Sequence, residues 1–372
     1  MTEKETKEIV QPTVNFNDLP KETQELLRKA QLKYKISEQY HNHYFGNTPP
    51  INGIHAYGRM LVAVGGNIYQ SSDQKLDWKS PSDFLAAYLK SYFGDTWLEE
   101  ELKKEYKDMH EVAKWYTKGV PNLEENNSNR WGRPNGKALA LLHLAYDLFA
   151  LENMNQLPSF ISDRLRNKQN FNGARYEVFV FSTLVRAGFT LEYSDEKSGI
   201  AGRVTECLAT HAVSGEKVYI EAKTRNVKNI LGSAQGKSKK IRLYDKLKDA
   251  MQKKVDGPYL IFVDVNHPKM KAERGHREFE KLRSEYRKLE LFHKGEMPNL
   301  VCFTNIPFHY GTNDSLPENN MIGLMIPRFP KFELNNKVLS DIDLSIKQYN
   351  YLPKEFQESN VYADNVLDKN NA

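Results

Sequence analysis

The sequence predicts a mixed α/β protein: a core in the order α-β-β-β-α-β, with a central mixed sheet flanked by helices, preceded by a mainly helical N-terminal domain with a β-hairpin. Three observations carry this. Up to residue 160 apolar side chains recur mostly at helical intervals, and from residue 189 they alternate in short runs instead. The run YLIFVDV, directly after Pro258, is apolar on both faces, as a strand buried in the middle of a sheet must be. At 372 residues the chain exceeds a usual single domain, so two folded units are expected, 18–160 and 161–330, between a mobile arm at 1–17 and a partly ordered tail at 331–372.

Residues 1–17 mix charge, Pro12 and Asn without apolar periodicity, which suits an arm. In LPKETQELLRKAQLKYKISEQY, Leu26, Leu27, Ala30 and Leu32 recur at helical spacing. RMLVAVGGNIYQ reads as a hairpin, because two β-rich runs flank Gly65-Gly66-Asn67. SPSDFLAAYLKSYFG is a helix with Ser80 or Ser82 as its cap, a hydroxyl able to accept from the orphan N–H groups of the first turn. WLEEELKKEYKDMHEVAKWY and KALALLHLAYDLFALEN follow as helices, separated by a loop broken by Pro134 and Gly136. NGARYEVFVFSTLVRAGF is a helix closed by Gly188. TLEY, RVTECLATHA and KVYIEAK are strands, the last two joined as a tight hairpin at Ser214-Gly215. KKIRLYDKLKDAMQKK is an amphipathic helix, YLIFVDV the buried strand, 273–291 a charged helix, and LVCFTNI and MIGLMI two final strands. Residues 331–372 thin out into Asn and charge.

Hydrophobic residues at 40% support globular packing, while 27% charge and a mean hydropathy of -0.67 argue against membrane spans. No apolar run approaches the roughly 18–20 residues that cross a bilayer, and MTEKETKEIV is charged where a signal peptide is apolar. A cytoplasmic location with no membrane partner is expected. The two cysteines, Cys207 and Cys302, exclude a disulfide framework and a cysteine-built zinc cage.

In VYIEAKTRN, residues 218–226, Val218, Ile220 and Ala222 point to one side of the strand and Tyr219, Glu221 and Lys223 to the other. Carboxylate-x-Lys triplets recur elsewhere, at Asp73/Lys75 and Glu101/Lys103 for instance, but Glu221/Lys223 ends a clearly alternating strand. Side chains at i and i+2 converge on one space, and the hairpin partner supplies Glu206. Carboxylates a few ångströms apart repel unless a cation lies between them, and hard oxygen ligands suit Mg2+ or Mn2+. Beside such an ion Lys223 would orient or deprotonate a water and stabilise a pentacovalent phosphate. The plainer alternative is a solvent-facing ion pair on an ordinary strand, worth little energetically.

These residues resemble the PD-(D/E)xK nuclease superfamily, the restriction-endonuclease-like folds. TECLA is similar to the strand bearing the first acid, EAK to the second acid and lysine, and the element order over roughly residues 170–265 to the common core. The resemblance implies a Mg2+-dependent endonuclease hydrolysing phosphodiester bonds, foremost in DNA, with a homodimer as one way to cut both strands. It implies Glu206 and Glu221 as metal ligands and Lys223 as the catalytic lysine. Glu177 matches a glutamate that many members place on the preceding helix; its alternative is a first-turn carboxylate favoured by the helix dipole. Thr205 stands where the family has proline and Glu206 where it has aspartate, and the Gln-x-x-x-Tyr element of some branches is absent.

Charge points the same way. From Lys223 to Lys254 there are eleven Lys and Arg against Asp245 and Asp249, although the whole chain carries only +5. Arg225, Lys228, Lys237, Lys239, Lys240 and Arg242 are the candidate nucleic-acid contacts, in a segment where Gly232, Ser233 and Gly236 let a phosphate backbone approach. Two rivals stand beside the nuclease. A non-catalytic nucleic-acid-binding protein on the same fold is favoured by the Thr205-Glu206 pair. A nucleoside triphosphatase rests on GSAQGKS at 232–238, which has three residues between its glycines where a P-loop has four. His41, His43, His110 and His143 lack metal-ligand spacing and read as surface or core packing; His211, close to Glu206 in sequence, is open to either role.

Overall fold

Strands that must hide both faces need helices on both, and the computed structural model of the chain has that arrangement. It describes residues 49–56, 59–71, 78–128, 134–194, 205–224, 243–253, 255–266, 275–312, 320–349, 351–354 and 356, with 20–22, 24, 25, 28, 29 and 32. Contacts divide the chain into Met1–Tyr44 with Glu358–Ala372, and Phe45–Gln357. In the first unit the described residues from Lys21 to Leu32 are helical, and the expected arm at 1–17 lies outside the described residues.

The second unit begins with β1 (Gly53–Ala56), β2 (Arg59–Val64) and β3 (Asn67–Gln70), then α1 (Pro81–Phe93), α2 (Asp95–Leu102), α3 (Glu111–Ser128), α4 (Gly136–Asn153) and α5 (Ile161–Arg166). It continues with α6 (Phe171–Arg186), β4 (Phe189–Tyr193), β5 (Cys207–His211), β6 (Lys217–Thr224), α7 (Leu243–Met251) and β7 (Tyr259–Asp264). Last come α8 (Gly275–Phe292), β8 (Leu300–Asn305), a short 3-10 turn (Pro307–Tyr310), β9 (Met321–Met325) and α9 (Asn336–Lys347). The α-β-β-β-α-β order read from the sequence is the order from α6 to β7.

A six-stranded mixed sheet runs β4-β5-β6-β7-β8-β9. Strands β4, β5 and β6 form an antiparallel meander, β6, β7 and β8 are parallel, and β9 returns antiparallel to β8. Every residue of β7 and β8 is buried. Alternation divides the sheet between two cores. Val218, Ile220, Leu260, Phe262, Leu300 and Cys302 join α4, α6 and α9 on one side. Tyr259, Ile261, Val263, Val301 and Phe303 join α7 and α8 on the other. The expected hairpin at 59–70 is present, extended by β1, and Ser80 caps α1 in a reciprocal capping box with Asp83.

Two expectations are corrected. The two folded units on either side of residue 160 are one, because α4 is buried on every face and packs against α1 and α3 as well as α6. A helix apolar all round cannot sit at a domain surface. The single helix read across WLEEELKKEYKDMHEVAKWY is two, since 103–108 offers an exposed polar run with no face to bury. Glu101 holds the break, accepting from the His110 N–H at 2.9 Å and the Lys104 ammonium at 2.6 Å. The tail read as partly ordered at 331–372 contains α9, which buries Val338, Ile342, Ser345 and Ile346; the Ser345 hydroxyl donates to Thr183 O of α6 at 2.7 Å.

Inside the first core, Arg175 pairs with Asp147 at 2.9 Å, and both reach the Tyr349 hydroxyl, at 3.1 and 2.9 Å. His309 Nε2 meets the same hydroxyl at 2.7 Å. Cys207 and Cys302 are buried thiols. No helix among the described residues is long and apolar enough to cross a membrane.

Candidate active site

The site is built by strand alternation and register. Because β6 lies parallel to β7 with Glu221 opposite Ile261 and Lys223 opposite Val263, both side chains share the face that α7 covers. Val218, Ile220 and Ala222 fill the opposite core. Glu221 is fully buried, so it is not a solvent-facing surface pair. Lys223 lies against its Oε1, and Lys253, from the turn after α7, donates to Oε2 at 2.6 Å. A buried carboxylate is expensive unless paired, and two ammonium groups answer that need here.

Glu206 directly precedes β5. Its N–H donates to Ile220 O at 2.9 Å, which sets it next to Glu221 across the strand pair. Burial, then the charges of Glu177 and Glu221, push its carboxyl up to about 8 against the opposing pull of Lys253 and Lys223. Burial and the same three carboxylates push the Cys207 thiol up. Glu177, Glu221 and Lys223 thus all lie within electrostatic reach of Glu206. Burial alone would lower the Lys223 ammonium, but Glu221 and then Glu206 raise it on balance. Of the two roles expected of Lys223, orienting a water or deprotonating it, the raised ammonium suits the first.

Glu177 is on the preceding helix, as the resemblance implied. It sits in the second turn of α6, so the first-turn dipole argument does not apply. Arg164 of α5 takes both its carboxylate oxygens, at 2.5 and 2.6 Å, and holds Glu177 on the flank of Glu206.

Among the described residues no three His, Cys, Asp or Glu side chains group to hold a metal ion. Mg2+ commonly takes one or two carboxylates and completes its shell with water and substrate phosphate. Glu206 and Glu221 meet that requirement, and the crowding that raises Glu206 is what a cation would relieve. The candidate contacts Arg225, Lys228, Lys237, Lys239, Lys240 and Arg242, and the segment GSAQGKS, lie outside the described residues. So do His41 and His43. His110 and His143 are buried among aromatic rings. His211 bridges Ser214 Oγ and Asp341 at 2.9 and 3.0 Å and fastens the β5-β6 hairpin to α9.

Sequence reasoning counted Lys253 merely as one of the basic residues near the strand and missed Arg164. The ammonium of Lys253 meets a carboxylate 32 positions away, and Arg164 one 13 away, and no local spacing links either pair. Comparison with protein-family models, curated proteins and solved structures gives no match to this chain.

Proposed function

We propose that this chain is a divalent-cation-dependent phosphodiesterase acting on nucleic acid, a DNA endonuclease foremost, on a restriction-endonuclease-like core and in the cytoplasm. The observation that carries the reading is the meeting of Glu221 and Lys223, at the end of a buried parallel strand, with the crowded carboxyl of Glu206. The resemblance of the EAK strand and the order from α6 to β7 support it. Glu206 and Glu221 are the residues that would hold Mg2+ or Mn2+. A divalent ion there supplies positive charge to the phosphate and makes a nearby water more acidic. In hydrolysis a water oxygen bonds to phosphorus, the ester P–O bond breaks and the leaving oxygen gains a proton. Lys223, held as an ammonium and 28% exposed, faces the negative charge that grows on the phosphate oxygens and hydrogen-bonds the approaching water. Arg164 keeps Glu177 from adding a further uncompensated charge.

Incubation of the full chain with supercoiled, linear and single-stranded DNA, and with RNA, with and without Mg2+ or Mn2+, tests this. Cleavage is expected with the cation, and Lys223→Ala should slow it by about 100-fold or more. If Lys223→Ala cleaves as fast as the unaltered protein, the assigned roles are wrong. A second reading, nucleic-acid binding without turnover, is favoured by the two ammonium groups already on Glu221. It predicts steeply salt-sensitive DNA binding and intact DNA under every cation.

A further inference from the structure

An ion approaching Glu221 meets an ammonium at each oxygen. The two ammonium groups are tethered differently. Lys223 sits two residues along the same strand face, so the strand itself holds it beside Glu221. Lys253 comes from outside the sheet, on the turn that ends α7, where its N–H donates to Ala250 O at 3.1 Å. Its side chain is 10% exposed, against 28% for Lys223, so it closes the more buried side of the carboxylate.

Charge makes the exchange coherent. Glu177 and Arg164 cancel. Glu221 with Lys223 and Lys253 carries one excess positive charge. Glu221 is thus more than neutralised by its two ammonium groups before any ion arrives. A divalent ion added to that set enlarges the surplus of positive charge, and the ammonium that reaches Glu221 across packed elements can withdraw without moving the sheet. Resting on the cation-dependent reading above, we propose that Lys253 is an intramolecular competitor for the divalent cation. It holds Glu221 Oε2 when the ion is absent and yields that oxygen when the ion binds. It is a positioning residue, and it sets the cation concentration at which the site loads, because apparent affinity falls with the fraction of the site that is open.

The test is Mn2+ binding to the full chain without DNA, followed by the electron paramagnetic resonance signal of free Mn2+. Lys253→Met keeps side-chain length and removes the charge; it should bind Mn2+ at least about tenfold more tightly than the unaltered protein. Lys248→Met removes the same charge from an exposed position on α7, and should change the affinity by less than about twofold. Lys253→Gln, still able to donate to Oε2, should fall between them, and serves if the Met variant does not fold. Without cation Lys253→Met should melt at a lower temperature, and saturating Mn2+ should raise its melting temperature by more than it raises that of the unaltered protein. If Lys253→Met and Lys253→Gln leave the affinity unchanged, or match Lys248→Met, while Glu221→Gln abolishes binding, competition is overturned and the cation site stands. If neither the unaltered protein nor any variant binds Mn2+, the cation-dependent reading fails and the competitor role with it.

Discussion

Arg164 holds Glu177 by two charge-assisted hydrogen bonds, at 2.5 and 2.6 Å, on the flank of the acidic cluster. That pairing gives Glu177 a neutralising partner rather than a place around an ion. Glu177→Gln should therefore leave Mn2+ affinity within about threefold, whereas Glu221→Gln should abolish it; one isothermal titration series compares them. Arg164→Ala should do more harm, since it removes both charge-assisted hydrogen bonds from a buried carboxylate, at about 3–5 kcal/mol in urea denaturation. A Glu177→Gln protein that no longer binds Mn2+ would make Glu177 a ligand beside Glu206 and Glu221.

Acid should destabilise the fold through its buried histidines. Burial pushes His110 down to about 4, and burial and nearby arginines hold His143 and His309 well below their ordinary range. These side chains stay neutral in the folded state while the unfolded chain takes up protons below about 6.5, so their contribution is complete above that pH and is lost as pH falls toward 4. His110→Gln should flatten this acid limb by about 1–3 kcal/mol in denaturation curves at pH 7 and pH 4.5.

Glu206 acts with the opposite sign. Its folded-state pKa of about 8 exceeds the ordinary glutamate value, so its contribution is complete below about 4.5 and is lost as pH rises through 8. Without cation, Glu206→Gln should be more stable than the unaltered protein at pH 8 and similar at pH 4.5. Equal stability at both pH values would remove the crowding inferred around this carboxyl.

In the first core, Asp147 joins Arg175 and Tyr349 in one buried network. Asp147→Ala strands the guanidinium and should lose about 3–5 kcal/mol, while Asp147→Asn keeps a hydrogen-bond acceptor and should lose less. Urea midpoints at constant m-value measure the difference.

Gly311 has φ of 64°, and a Cβ there would stand 2.5 Å from Trp115 Nε1. Gly311→Ala should cost about 1–3 kcal/mol through left-handed backbone strain and displacement of the indole, with the change visible in Trp fluorescence.

The amino-acid pattern by itself determined which face each β6 side chain takes, the complete burial of β7, the hairpin at 59–70, and the proximity of Glu221 to Lys223. These follow from period-two alternation and short-range turn chemistry, both written into neighbouring residues. Tertiary structure alone decided that Lys253 closes Glu221, that Arg164 neutralises Glu177, that α9 covers α6, and that α4 makes one unit of two expected ones. Periodicity says that a face must be covered, but what covers it depends on which distant segment fits there and brings a compensating charge. The helical tail shows this: Val338, Ile342 and Ile346 form too sparse a stripe to stand out among Asn and charge, and α6 supplies the surface that makes them core.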